Sequence, residues 1–143
     1  MRKWAKKEKR LLRLELEANE QDIIYDRFGA VRLRILDNNQ VITWAGQHIG
    51  YLAGNALHNN TGQHIGWYEG GVIRDLAGFV VGFGVSPTDS PLPYLPYKQY
   101  LPYRGYVQYA PYRPYSSYLH YKPYKMFGWS SLDPVTLFKG AGK

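Results

Sequence analysis

The sequence predicts a mainly β fold: a small closed antiparallel meander of four 16-residue β-hairpin repeats with pseudo-fourfold symmetry, preceded by an N-terminal helix and followed by an extended Tyr/Pro-rich C-terminal tail. Three observations predict it. Apolar positions recur at a step of sixteen between residue 23 and about residue 85, turn dipeptides separate the copies, and from residue 94 a tyrosine stands at every third position. These features divide the 143 residues into a helical extension (1–22), a four-repeat β domain (23–86), a low-complexity tail (87–125) and a C-terminal segment (126–143).

The extension is read as a helix because residues 3–20 are good helix formers without glycine or proline, and Trp4, Leu11, Leu12 and Leu16 give a partial apolar stripe. Basic residues crowd its start and acids its end, against the helix dipole, so it is expected to need a partner surface. Its opening MRKWAKKEKR is positive like the start of an export signal, but LLRLELEANE then breaks every apolar run with charge. FVVGFGV at 79–85 is far shorter than the roughly 20 residues a membrane-spanning helix requires. Cysteine is absent, which removes disulfide and thiolate-metal frameworks and suits a reducing compartment. A soluble cytoplasmic protein with no transmembrane segment is the expectation.

In the repeats, Tyr25, Val41, Leu57 and Ile73 form one apolar set, Leu33, Ile49, Ile65 and Val81 a second, and Ile35, Tyr51, Trp67 and Phe83 a third. A fourth, Phe28, Trp44, Asn60 and Leu76, is apolar in three of four. Within a copy the apolar residues lie two apart, the period of a strand with one buried face. Asn38-Asn39, Gly54-Asn55 and Gly70-Gly71 suit two-residue type I′ turns, while DRFG, TWAG, NNTG and DLAG suit type I turns closed by a left-handed glycine. Gly29 and Gly46 are seventeen apart rather than sixteen, which reads as a first turn shortened by one residue with the strand register intact. One hairpin is marginal in water, and four bury their apolar faces together by closing around a common axis, which also removes open edges.

With phrases such as GQHIGWYEGGVIRD and the closing GFVVGF, residues 23–85 resemble the four-fold beta flower family of compact repeat domains. The resemblance implies the closed repeat fold and brings no activity, cofactor or catalytic residue with it. The extension and the tail lie outside it.

GQHIG occurs twice, at 46–50 and 62–66, and sets His48 and His64 at one repeat position whose other occupants are Arg32 and Val80. Alternation places both histidines opposite in facing to Ile49 and Ile65, on the outer surface. No orienting carboxylate, nucleophile or converging ligand set accompanies them, so they read as a structural echo rather than a catalytic or metal site. His58 lies on the strand between, where three imidazoles on one surface would bind a transition metal only weakly. Asp26 and Asp75 read as turn formers. GFVVGFG lacks the following helix of a dinucleotide loop, and Trp44, Tyr51 and Trp67 read as core rather than as a surface for sugar or peptide. No catalytic, cofactor-binding or metal residue and no cofactor is assigned.

The tail carries Tyr94, Tyr97, Tyr100, Tyr103, Tyr106, Tyr109, Tyr112, Tyr115, Tyr118, Tyr121 and Tyr124, six of them preceded by proline. A step of three is the repeat of polyproline II, which would line the phenols along one edge of a rod of roughly 100 Å. The third residue of each triplet is basic or apolar, including Lys98, Arg104, Arg113, Lys122 and Lys125. Net charge is +7: residues 23–86 carry four basic and four acidic groups, whereas 87–143 carry seven and two. One reading is a semi-rigid spacer, the other a multivalent binding strip. Protein is the expected partner, because five cations over more than thirty residues are sparse for a nucleic-acid surface. RNA, single-stranded DNA or another polyanion is the alternative. The expectation for the whole is a non-enzymatic interaction or scaffold protein.

Overall fold

The computed structural model describes residues 16–139. Eight antiparallel strands follow in order: β1 (Glu20–Tyr25), β2 (Val31–Leu36), β3 (Gln40–Thr43), β4 (His48–Ala53), β5 (Ala56–Asn59), β6 (His64–Glu69), β7 (Val72–Asp75) and β8 (Val80–Phe83). Each pairs with the next, and Tyr25 opposite Phe83 returns β8 to β1 to close a barrel. At that seam the buried Asp22 carboxylate accepts the Val85 and Ile23 amides and the Tyr68 hydroxyl, standing in for further strand pairing. A short helix, α1 (Pro134–Leu137), is capped by Asp133 and adds Leu137 and Phe138 to the barrel core.

The core holds Leu33, Ile65 and Val81 as expected from the second apolar set, with Ile49 packed against it. Two sequence expectations need correction. The extra residue of the first repeat sits in the hairpin connection, not in a shortened turn. Ile35 pairs with Val41 and leaves five residues between them, whereas Leu52 pairs with Leu57 and leaves four, of which Ala53 and Ala56 also pair. Ile24 rather than Tyr25 therefore joins Val41, Leu57 and Ile73 in the core. Both glycines of Gly70-Gly71 take positive φ as type I′ requires; at Gly54-Asn55 only Gly54 does, the pattern of type II′.

The second correction concerns facing. Each long strand carries a register shift after its glycine turn, at His48-Ile49 opposite Ile42 and at His64-Ile65 opposite His58. A bulge inserts one residue and reverses the alternation beyond it. Leu52 and Tyr68 consequently face the core, and Tyr51 and Trp67 move to the outer face beside the histidines. Leu33 has glycine as its counterpart in the later copies, and a side chain on Gly50 would strike the Phe138 ring. Small residues at this level make room for α1.

The expected N-terminal helix over 3–20 fails where it can be seen: residues 16–19 are non-helical and β1 begins at Glu20. Glu20 is drawn into the fold by Arg34 and Arg104. The rest of the predicted helix lies outside the described residues.

Candidate functional site

From Pro87 to Met126 the chain has neither helix nor strand, yet it is held against the barrel along its whole course. It starts beside Gly70, where the Thr88 and Asp89 amides donate to the Gly70 carbonyl. It then meets the four glycine turns in barrel order. The amides of Gln99, Gln108, Ser117 and Met126 donate to the carbonyls of Gly29, Gly46, Gly62 and Gly78, at 2.8–3.0 Å. One hairpin of the barrel thus receives nine residues, or three triplets, of tail. The tail is a belt that circles the barrel once. Its ends meet at the buried Arg74, whose guanidinium donates to the carbonyls of Pro91 and Met126 and pairs with Asp89.

Close approach explains the turn glycines. Gly62 has φ +86°, and a side chain there would begin 2.1 Å from the Tyr115 carbonyl oxygen. Its partner Asn59 closes the turn by accepting the Thr61 and Gln63 amides, as Asp26 and Asp75 do in their own turns.

The belt's cations face the barrel. Arg104 lies 4.8 Å over the Trp44 ring and pairs with Glu20, which also holds the buried Arg34. Arg113 lies 4.4 Å over Tyr51, and Lys122 lies 5.3 Å over Trp67 while pairing with Glu69. Lys98 donates to the Val85 carbonyl above Tyr25, and Lys125 joins Asp89. Burial would push the Glu20 carboxyl up, but hydrogen bonds from Arg104, the Glu17 amide and Arg34 outweigh it and hold it below the usual carboxylate range. Trp44, Tyr51 and Trp67, expected in the core, lie outside the barrel interior as the seats on which the belt rests, with Tyr51 buried there and Trp44 packed against the cluster of Tyr25 and Phe83. A signal for this was present in the sequence: Arg104, Arg113 and Lys122 are nine residues apart.

The tyrosines face the other way. All eleven, Tyr94 through Tyr124, are 89–101% exposed, although the backbone between them is fixed. Each pinned residue lies two positions beyond a tyrosine whose carbonyl covers a turn glycine, so the phenols are displayed in the same register at every hairpin.

The three histidines are not on an open surface. They lie on the outer face of the barrel, but the belt covers them, and His48, His58 and His64 are all buried. His58 stacks on Tyr51 and lies 5.5 Å from the His64 ring, which in turn approaches the belt's His120 at 5.3 Å. His48 is held apart, with Nε2 donating to the Gln108 carbonyl. His64 Nδ1 accepts the His120 amide at 2.8 Å and Nε2 donates to the Gly66 carbonyl. Among the described residues no group of three or more histidine or acidic side chains is arranged to hold a metal ion. A cavity of about 240 Å³ between the last turn and α1 is lined by His64, Asp75, Leu76 and Leu137. Its carboxylate is already committed, since Asp75 accepts the Ala77 and Phe79 amides and the Ser130 hydroxyl.

The family model for 4-fold beta flower proteins matches residues 22–138. The chain belongs to the 4-fold beta flower family. The match runs well past the 23–85 over which the repeats resemble it, and takes in the belt and α1 as well as the hairpins. That extent agrees with the contacts: in this beta flower the belt's amides cap turn carbonyls that the strands leave unpaired. No curated protein and no solved structure matches the chain. Among the described residues, no helix is long and apolar enough to cross a membrane.

Proposed function

We propose that this beta flower is a non-enzymatic interaction or scaffold protein whose working surface is the outward row of tyrosines, and that its partner is a protein. One observation carries the reading: eleven phenols stand almost wholly in solvent on a backbone anchored at every hairpin. Extended exposed aromatic surface is unusual on a monomer and marks binding sites. Tyrosine gives large contact area for little lost side-chain freedom, and anchoring the backbone beforehand removes much of the ordering cost that a loose tail would face on binding. Repeated weak contacts then add through multivalency.

The direction of the cations favours protein over polyanion. Arg104 is engaged with Glu20 and Lys122 and Lys125 with Glu69, all carboxylates of the barrel side, and Arg113 sits on Tyr51. A polyanion would have to draw them away from those seats. The test is a pull-down comparing the intact chain with one in which Tyr100, Tyr109 and Tyr118 are serine. A recurring partner retained by the first and lost from the second, at equal thermal stability, supports the reading. Equal capture by both overturns it. In parallel, fluorescence anisotropy with single-stranded oligonucleotides at two salt concentrations is expected to show no salt-sensitive binding; tight binding that falls steeply with salt would favour the polyanion alternative.

A further inference from the structure

Two hydrogen bonds fix the proton on His64. The Nδ1 atom accepts the backbone N–H of His120, so it carries a lone pair. The Nε2 atom faces the Gly66 carbonyl, so it carries the hydrogen. This tautomer is neutral, and a second proton can be added only at Nδ1, where it would oppose the His120 N–H. Beside the Ser117 amide on the Gly62 carbonyl, the belt over the third hairpin is therefore held by a lone pair that acid removes.

We propose that His64, with His58 beside it, is a proton-operated latch that releases the belt segment around Ser117–Tyr121 as pH falls below the ordinary histidine range, while the other anchor points hold. The surroundings all disfavour a second proton. His64 is fully buried and His58 nearly so, and neither ring nitrogen of His58 has a hydrogen-bond partner among the described residues. Across from them the belt contributes His120 and Arg113, and Lys122 sits on Trp67, the ring that meets His64 edge-on. Glu69 is already paired with Lys122 and Lys125, and Asp75, which lines the same cavity as His64, is saturated by two amides and a hydroxyl. Among the described residues, the carboxylates named here are all committed, and none is left to receive an imidazolium.

Burial pushes His64 below the ordinary histidine value; the Gly66 carbonyl opposes this, and His58 and His120 add to it. Burial also lowers His58, with the Ala56 carbonyl opposing from outside hydrogen-bonding geometry and Arg113 adding to the depression. Because both are depressed in the closed belt, closure is fully favoured above the ordinary value of about 6.5 and is lost as pH falls from there through the depressed values. Each imidazole that takes up a proton on opening shifts the equilibrium by about tenfold per pH unit in that window. The latch stands whether or not the tyrosines bind a partner.

The experiment is an amide and imidazole NMR titration of the full chain from pH 7.5 to 4.5. The His120 and Ser117 amide signals are expected to move to random-coil positions with a midpoint below 6.5 that matches the His64 ring, while those of Gln99 and Gln108 stay in place. His64→Asn puts a non-titrating acceptor oxygen where Nδ1 stands, and is expected to keep the His120 amide in its closed position throughout. A His120 amide unmoved at pH 4.5 in the unaltered chain overturns the proposal, as does an unchanged transition in His64→Asn. Should that variant not fold, the unaltered chain still decides, because a His64 ring that titrates at or above 6.5, or apart from the His120 amide, overturns it equally.

Discussion

The two copies of GQHIG are identical as sequence and opposite as chemistry. In the second hairpin His48 gives a hydrogen to the belt, from Nε2 to the Gln108 carbonyl; in the third, His64 receives one, at Nδ1 from the His120 amide. The same residue in the same bulged position thus makes one anchor that an added proton leaves intact and one that it breaks. The difference teaches that the repeat sets where a side chain stands, while the belt, which does not repeat in detail, sets what it does there. His58 and Arg74 make the same point on the neighbouring strands: sixteen residues apart, one has a buried ring with no hydrogen bond among the described residues and the other clasps both ends of the belt.

The contrast can be broken most severely outside either copy. Glu20→Ala strips the carboxylate from the buried Arg34 and from Arg104, leaving an uncompensated charge under the belt. A loss of about 3–5 kcal/mol is expected in denaturant unfolding at pH 7. Next comes Gly62→Ala, which combines a positive φ with a clash against the Tyr115 carbonyl. It is expected to cost about 2 kcal/mol and, in limited proteolysis, to open the belt at the third hairpin while the second stays protected.

Acid sharpens the same comparison without a mutation. The Glu20 carboxyl is held below the usual carboxylate value, so its contribution is present above about 4.5 and lost as pH falls below that. The imidazole pair loses its contribution earlier, on the way down from about 6.5. Proteolysis at pH 5 is therefore expected to cut near His120 first and to leave Arg104 covered. Smaller still is Arg113→Ala, which removes an exposed cation from the Tyr51 face and is expected to cost about 0.5–1 kcal/mol in thermal unfolding. Tyr109→Ser and Tyr118→Ser touch side chains that are 99% and 95% exposed, and are expected to change stability by less than about 0.5 kcal/mol.

Much of the barrel could be read from the chain because apolar periodicity reports burial directly. Ile49, Ile65 and Val81 recur with their strands, and Gly29, Gly46, Gly62 and Gly78 recur with their turns. Facing was misread at Tyr51 and Trp67 because a bulge leaves no mark in composition; it shifts alternation by one only once the partner strand is in place. The extra residue at Asp37–Asn39 was misplaced for a similar reason, since either end of a hairpin can absorb an insertion. The histidines were expected on the surface because the tail was read apart from the barrel. Its tyrosine step of three hides a step of nine, visible in Gln99, Gln108 and Ser117 and in Arg104, Arg113 and Lys122, and four hairpins at nine residues each account for the stretch from Pro91 to Met126. Polar residues at that beat have meaning only when a barrel of fourfold repetition is present to meet them.

The most direct test of the belt is residue-resolved amide hydrogen exchange on the full chain at pH 7.5, where the latch is closed. Protection is expected at Gln99, Gln108, Ser117 and Met126, recurring every ninth residue, with the intervening amides of Tyr103, Tyr112 and Tyr121 exchanging near the rate of an unstructured peptide. Uniformly fast exchange from Tyr94 to Tyr124 beside a protected barrel would contradict the account, because it would leave the tyrosines on a loose tail rather than on an anchored frame.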